Sequence, residues 1–128
     1  MKVLLDTHVF IWAISEPERL SSRARQAIED PDNEVTISVA SAWEMAIKAT
    51  TGKLKISGRA ATFVQRKLVE HRMTLLPIQL SHLEVLEKLP LHHRDPFDRL
   101  LVAQAIDEDA FLLTVDRQLR KYKVKTIG

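Results

Sequence analysis

Short apolar segments that alternate with helical segments constrain the fold of this chain more than any other feature of its sequence. Residues 2–6, 34–38 and 111–115 are rich in aliphatic or β-branched side chains and are predicted to be strands. Helical segments separate them, which is typical of parallel sheets because a crossover must carry the chain back to the same edge. The sequence therefore predicts an α/β fold, a three-layer α/β/α sandwich with a central, mostly parallel sheet.

Helix start and stop signals account for most of the chain between these strands. The clearest start is at Asp95, Pro96 and Asp98, where an N-cap acid, a proline at the first helical position and a first-turn acid begin a helix that runs to about Glu108. A Ser/x/x/Glu capping box at residues 81–84 predicts another start. The remaining predicted helices cover residues 8–15, 22–29 and 57–72, and a further one that begins at Ser38 or Ser41 and ends near Thr51. Weaker strands are predicted at 73–78, interrupted by Pro77, and at 124–127.

Length and composition limit what the chain can be. Its 128 residues suffice for one core but not for two ordinary domains, so residues 1–128 are expected to form a single domain. The absence of cysteine excludes disulfides, thiolate metal sites and a cysteine nucleophile, and is compatible with the cytoplasm, where we expect the protein to act. Asp6 and His8 interrupt the apolar N-terminal stretch, so neither a signal peptide nor a membrane partner is predicted.

Four acidic residues are candidates for a shared site. Asp6 and Asp116 each follow a predicted strand, Asp98 lies in the first turn of a helix, and Glu44 lies in the helix after the second strand. Loops and helix N-termini gather at the carboxyl edge of a parallel sheet, so these acids could meet there. Ordinary structural roles remain open for each of them: turn or cap residues, a first-turn acid that complements a helix dipole, and an i,i+4 ion pair between Glu44 and Lys48.

Electrostatics restricts what converging acids could do. Two carboxylates about 4 Å apart repel by roughly 4 kcal/mol at an effective dielectric constant near 20, so a cluster needs protons or a cation. Carboxylate oxygens favour a hard divalent ion such as Mg²⁺ or Mn²⁺. A site of this kind supports hydrolytic phosphoryl transfer, in which a metal-activated water is the nucleophile.

Four segments, found in order along nearly the whole chain, add to this interpretation: LLDTH at residues 4–8, SAWEMAIK at 41–48, HRDPFDRLLVAQA at 93–105 and LTVD at 113–116. Together they closely resemble the PIN-domain ribonucleases, especially the VapC-type toxins of prokaryotic toxin–antitoxin pairs. The segment at 93–105 is the most specific of the four. The resemblance implies a PIN-like α/β/α sandwich in which four acids hold Mg²⁺ or Mn²⁺ and RNA phosphodiesters are hydrolysed, leaving 5′-phosphate and 3′-hydroxyl ends.

By the same resemblance, the catalytic and metal-binding acids are Asp6, Glu44, Asp98 and Asp116. Asp98 is preferred over Asp95 because it directly precedes the leucine- and alanine-rich helix, which leaves Asp95 as a cap or an outer acid. Thr7 and Thr114 resemble the small hydroxyl residues that accompany these acids. The implied partners are an RNA substrate, a cognate antitoxin protein that silences the enzyme, and a second copy of the chain in a homodimer.

Other functions remain open from the residues alone. His92 and His93 could act as acid and base in a metal-independent ribonuclease that uses the RNA 2′-hydroxyl. A receiver-like domain phosphorylated on Asp6 or Asp116 would require an acidic pair and a lysine that do not appear where needed. A catalytically silent RNA- or antitoxin-binding module is the third alternative.

A basic segment near the C-terminal end bears on the choice of substrate. The net charge of +2 is too small to require a nucleic-acid partner, but residues 117–125 contain five basic side chains and no acid. This basic segment could contact RNA phosphates or form an ordinary solvated surface.

Overall fold

The computed structural model describes residues 1–128 and contains one five-stranded sheet. Its strands are β1 (Lys2–Leu5), β2 (Glu34–Ser38), β3 (Thr74–Leu76), β4 (Phe111–Leu113) and β5 (Thr126–Ile127). They lie in the order β3-β2-β1-β4-β5, and every neighbouring pair is parallel. The predicted α/β class with a central parallel sheet is therefore confirmed.

Six α-helices connect and cover the strands: α1 (Thr7–Ser15), α2 (Ser22–Glu29), α3 (Val39–Thr50), α4 (Ala60–Glu70), α5 (Leu80–Lys88) and α6 (Pro96–Asp107). Short 3-10 helices lie at Pro17–Arg19 and Arg117–Lys121. None of the helices is both long enough and apolar enough to cross a membrane.

The central strand β1 separates two apolar layers. Val3 and Leu5 belong to a core cluster shared with side chains of α1 to α4, whereas Leu4 packs in a second cluster with α6. This alternation follows from the two-residue period of a strand, and all three side chains are fully buried. Both faces of the sheet are thus covered by helices, as the sandwich prediction requires.

Two predicted helix starts are wrong for identifiable reasons. Helix α5 begins before the predicted capping box, because the Gln79 backbone N–H donates to Nδ1 of His82 at 3.0 Å and satisfies a first-turn donor there. Helix α4 begins at Ala60 rather than at residue 57, since Gly58 has a φ of +76° that a helix cannot include. Strand β3 ends before Pro77, the residue predicted to interrupt it, because proline has no N–H for the ladder.

The predicted start of α6 is confirmed in atomic detail. Oδ1 of Asp95 accepts hydrogen bonds from the backbone N–H groups of Phe97 at 2.8 Å and Asp98 at 3.2 Å, and Pro96 occupies the first turn. Asp95 therefore has the cap role that the sequence suggested. Its contacts fix the direction in which the first turn of α6 meets the carboxyl edge of the sheet.

Candidate metal centre

Acidic side chains from four parts of the chain line one cavity at the carboxyl edge of the sheet. The cavity has a volume of about 220 Å³. Its lining residues are Asp6, Thr7, His8, Glu44, Lys48, Asp95, Asp98, Val115 and Asp116. The structure thus brings together all four acids that the sequence selected, and places Asp95 beside them.

Asp6 is held rigidly at the point where β1 passes into α1. It caps α1 by accepting a hydrogen bond from the Val9 backbone N–H at 2.8 Å, and its other carboxylate oxygen accepts one from the Thr114 hydroxyl at 2.5 Å. Burial raises the pKa of Asp6, while the hydrogen bonds from Thr114 and Val9 oppose that increase. Cap and site acid are therefore compatible roles for one side chain.

Thr114 joins the ends of the two central strands. Its side chain is fully buried, and its hydroxyl oxygen also accepts a hydrogen bond from the Asp116 backbone N–H at 3.0 Å. The hydroxyl thus links Asp6 after β1 to Asp116 after β4. This is the kind of contact by which an outer residue fixes the orientation of a ligand.

Glu44 faces the cavity from α3. One carboxylate oxygen accepts a hydrogen bond from the Thr7 hydroxyl at 2.7 Å, and the other lies 3.2 Å from Nζ of Lys48. The Ser41 hydroxyl lies 2.9 Å from the Thr7 hydroxyl oxygen. The ion pair predicted as an alternative to a site role is present, yet the same carboxylate also lines the acidic cavity.

The surroundings of Asp98 disfavour its charged form. Its pKa is raised to about 7, first because burial disfavours the charged carboxylate and then because Asp95, Glu44 and Asp6 repel it, while His93 opposes the increase. Five acids but only one lysine line the cavity. The site therefore holds more negative charge than its own cations offset.

His93 lies at the same edge of the sheet and contacts two of the cavity acids, a contact that was not predicted from the sequence. Its Nε2 lies 3.2 Å from Oδ2 of Asp116 and 3.4 Å from Oδ2 of Asp98. Its Nδ1 accepts a hydrogen bond from the Asp95 backbone N–H at 3.0 Å. From the sequence, His93 was indicated only as a possible acid or base of a metal-independent ribonuclease.

An aromatic contact holds the two acid-bearing helices together. The rings of Trp43 on α3 and Phe97 on α6 meet edge to face with their centres 5.0 Å apart. Each ring is adjacent in sequence to a cavity acid, Glu44 or Asp98. Their packing is therefore one of the contacts between the helices that carry these acids.

The donor set fits a hard divalent cation. The cavity offers carboxylate oxygens from several elements, and repulsion from Asp95, Glu44 and Asp6 adds to burial in raising the pKa of Asp98. Mg²⁺ and Mn²⁺ favour oxygen ligands of this kind and carry the positive charge that the cavity lacks. The arrangement is therefore suited to bind such an ion.

Comparison with known proteins gives a consistent result. Residues 3–125 match the PIN domain. Over 122 residues the chain is 38% identical to Ribonuclease VapC22 of Mycobacterium tuberculosis, covering 94% of this chain and 92% of that protein.

Solved structures share the fold at low sequence identity. VapBC2 from Rickettsia felis, bound to a DNA fragment from its promoter, matches with a TM-score of 0.76 and 17% identity over 99% of this chain and 98% of that one. VapBC-1 from nontypeable Haemophilus influenzae matches with a TM-score of 0.68 and 14% identity over 100% and 98%. The domain match and the 38% identity to a relative over almost the whole chain agree with the resemblance of the four sequence segments. The chain therefore belongs to the PIN-domain family.

Proposed function

We propose that this chain is a metal-dependent endoribonuclease and the toxin of a toxin–antitoxin pair. The observation that carries the proposal is the convergence of Asp6, Glu44, Asp98 and Asp116 on one cavity. The relative with 38% identity is named a ribonuclease, and the two structural neighbours are VapBC proteins. These names support RNA as the substrate and an antitoxin as the partner of this chain.

In this proposal the four acids hold Mg²⁺ or Mn²⁺. When bound, such an ion lowers the pKa of a water molecule and offsets charge on the phosphate. Asp6 and Asp116 are oriented by backbone N–H groups and by side-chain partners, so their carboxylates need little reorganisation. Glu44, held by Thr7, is suited to position the attacking water or to act as a further ligand.

The chain's other groups would bind the RNA and stabilise its charge. Lys48 lines the cavity and can approach a phosphate there. Arg117 follows Asp116 directly and begins the basic segment at residues 117–125, where Arg117, Arg120, Lys121 and Lys123 are exposed. The exposed charge of this segment, which begins next to a cavity acid, supports contact with the RNA backbone and hence binding that weakens with salt. The expected products carry 5′-phosphate and 3′-hydroxyl ends.

The partners proposed beyond RNA are a cognate antitoxin and a second copy of the chain. An antitoxin that covers the acidic cavity would prevent damage to the cell's own transcripts. A chain without cysteine is suited to act in the reducing cytoplasm, where such transcripts are found.

The metal-independent alternative is less compatible with the geometry. A general acid or base needs a nitrogen that can reach the substrate. Both ring nitrogens of His93 are engaged, one by the Asp95 backbone N–H and the other by two carboxylates. The His92 ring packs edge to face on Tyr122 at 5.0 Å. The acidic cavity is therefore the better candidate for the chemistry.

Cleavage of a pooled small-RNA substrate by antitoxin-free protein tests the proposal. Wild type, Asp98→Asn and the matched control Asp32→Asn, an exposed acid in the turn before β2, are compared with Mg²⁺, with Mn²⁺ and with EDTA. We expect wild type and the control to cleave only with metal, and Asp98→Asn to lose cleavage while remaining folded. Cleavage that survives EDTA, or a fully active Asp98→Asn, would contradict the proposal.

A further inference from the structure

The hydrogen-bond partners of His93 determine which of its nitrogens carries the proton. Nδ1 accepts the Asp95 backbone N–H at 3.0 Å, so the hydrogen of the neutral ring lies on Nε2. Nε2 is the nitrogen that lies 3.2 Å from Asp116 Oδ2 and 3.4 Å from Asp98 Oδ2. The imidazole therefore presents a donor, not a lone pair, to the two carboxylates.

A direct bond from His93 to a metal conflicts with this arrangement. A ligating Nε2 must offer its lone pair, which would move the ring hydrogen to Nδ1, where it would face the Asp95 N–H. Two donors would then oppose each other at a separation of 3.0 Å. His93 thus acts on the carboxylates rather than on the ion.

The other acids of the cavity have orienting partners of their own. Asp6 is held by Val9 and Thr114, and Glu44 by Thr7 and Lys48. For the Asp98 carboxylate, the His93 Nε2 is the one donor group within ion-pair or hydrogen-bond distance. Asp98 therefore depends on His93 for its orientation more than any other cavity acid depends on a single neighbour.

His93 is itself anchored to a buried tyrosine. The backbone N–H groups of His92 and His93 donate to the Tyr122 hydroxyl oxygen at 3.2 and 3.0 Å, and Nη1 of Arg99 lies 3.2 Å from the same oxygen. Tyr122 is only 3% exposed. The loop before α6 is therefore fixed to the core, and the imidazole is held where it can restrain both carboxylates.

We propose that His93 is a positioning residue that holds the Asp98 and Asp116 carboxylates in the orientation in which they bind the divalent ion. This inference rests on the proposed metal-dependent function. Without the Nε2–H donor, Asp116 would lose its 3.2 Å hydrogen bond and Asp98 its 3.4 Å contact, so the orientation of the two carboxylates would no longer be restrained by the ring. Loss of an outer partner of this kind lowers metal affinity by about 10- to 100-fold.

Two substitutions separate the two contacts of the ring. In His93→Gln the amide nitrogen lies at a reach similar to Nε2 and can still donate to the carboxylates. In His93→Asn the side-chain oxygen can still accept the Asp95 N–H, but the amide is too short to reach both acids. His92→Gln is the matched control, since His92 is exposed and makes no side-chain contact with the cavity acids.

The measurement is Mn²⁺ affinity by calorimetry, together with thermal unfolding in EDTA. We expect His93→Gln and His92→Gln to bind Mn²⁺ within about threefold of wild type, and His93→Asn to bind about 10- to 100-fold more weakly. We expect both His93 variants to unfold at similar temperatures in EDTA. A purely structural role would instead make the loss of affinity follow the loss of thermal stability.

Electron spin-echo spectroscopy of bound Mn²⁺ separates positioning from ligation. We expect no ¹⁴N coupling of the size given by a coordinated imidazole, and finding one would overturn the inference. Unchanged or tighter Mn²⁺ binding by His93→Asn would also overturn it, while the proposed function would stand if Asp6→Asn still abolished binding. If wild type and Asp6→Asn both failed to bind Mn²⁺, the proposed function and this inference would both fail.

Discussion

Two histidines in this chain contact pairs of acids in the same way, yet they lie in different electrostatic surroundings. His82 accepts the Gln79 backbone N–H on Nδ1 and directs Nε2 toward Glu108 at 2.9 Å and Asp107 at 3.6 Å. His93 accepts the Asp95 N–H on Nδ1 and directs Nε2 toward Asp116 and Asp98. The local hydrogen-bond pattern is therefore nearly identical.

The difference lies in what surrounds each cluster. His82 is completely buried where α5 meets the end of α6, at the amino edge of the sheet, and Glu108 lies 3.9 Å from Lys2 as well. The His93 cluster lies at the carboxyl edge, where Asp6 and Glu44 add further negative charge. A histidine between two acids thus closes a helix junction at one edge and belongs to a candidate metal centre at the other.

The largest expected contrast is between acids of the two clusters. Asp6→Asn preserves a good helix cap but removes a proposed ligand charge worth several kcal/mol, so we expect RNA cleavage to fall by about a thousandfold. Asp107→Asn changes an acid of the His82 cluster, and we expect cleavage within about twofold of wild type. Initial rates at saturating Mn²⁺ measure both. Equal losses in the two variants would remove the functional distinction between the clusters.

For the free energy of unfolding we expect the opposite contrast, with the larger effect at the His82 cluster. His82→Ala leaves the Gln79 N–H and the Glu108 carboxylate without their buried partner, at about 1–3 kcal/mol for each unsatisfied group. We expect the free energy of unfolding to fall by about 3 kcal/mol, and Mn²⁺ affinity to stay within about twofold of wild type. Urea unfolding in EDTA and calorimetry provide the two values. A large loss of Mn²⁺ affinity would indicate that the His82 cluster takes part in metal binding.

The first contrast depends on the fold, and much of that fold could be predicted from the sequence. Apolar runs such as the one at Phe111–Leu113 identify the buried strands, and the Asp95-Pro96 start of α6 follows from local capping chemistry. The short strand β5 and the start of α5 were less accurately placed. At α5 the deciding contact is made by the His82 ring rather than by the Ser/Glu pair of the predicted capping box.

The membership of the acidic cavity could be predicted, but its electrostatics could not. Asp6 and Asp116 end strands, so topology places them at one edge. The orientation of His93 depends on Tyr122, a residue 29 positions away that fixes the loop by hydrogen bonds to its backbone. No local pattern in the sequence reports such a contact, so the sequence indicated His93 as a possible acid or base and not as a partner of two cavity acids.

The pH dependence of the free energy of unfolding tests the raised pKa of Asp98. The folded pKa of Asp98, about 7, lies above its unfolded value of 3.8, so the folded state retains a proton that the unfolded state has lost. In metal-free protein this contribution is present at low pH and is lost as pH rises to about 7.

The free energy of unfolding of wild type should therefore fall as pH rises from about 5 to about 8, whereas that of Asp98→Asn lacks this contribution. Over this range the variant should gain on the order of 1–2 kcal/mol relative to wild type, after allowance for solvent screening. Urea unfolding in EDTA at both pH values measures the gain, and Asp107→Asn is the matched control. A difference between Asp98→Asn and wild type that does not change with pH would contradict the raised pKa of Asp98.

The smallest expected effect is at Lys48. The Lys48–Glu44 ion pair is partly exposed, so we expect Lys48→Gln to change the free energy of unfolding by less than about 1 kcal/mol. Removing a positive charge from the cavity should strengthen Mn²⁺ binding by about threefold and weaken RNA binding at low salt. Calorimetry and RNA affinity at two salt concentrations measure these changes. Weaker Mn²⁺ binding would indicate that Lys48 supports the site through Glu44.

The most direct test of the proposed centre is anomalous diffraction from crystals grown with Mn²⁺. We predict an anomalous peak within ligand distance of Asp6, Asp98 and Asp116, with Glu44 nearby and His93 bonded to carboxylate oxygens rather than to the ion. We predict no peak at His82, Asp107 and Glu108. A peak at the His82 cluster, or none at the carboxyl edge under conditions that support RNA cleavage, would contradict the assignment of the metal centre.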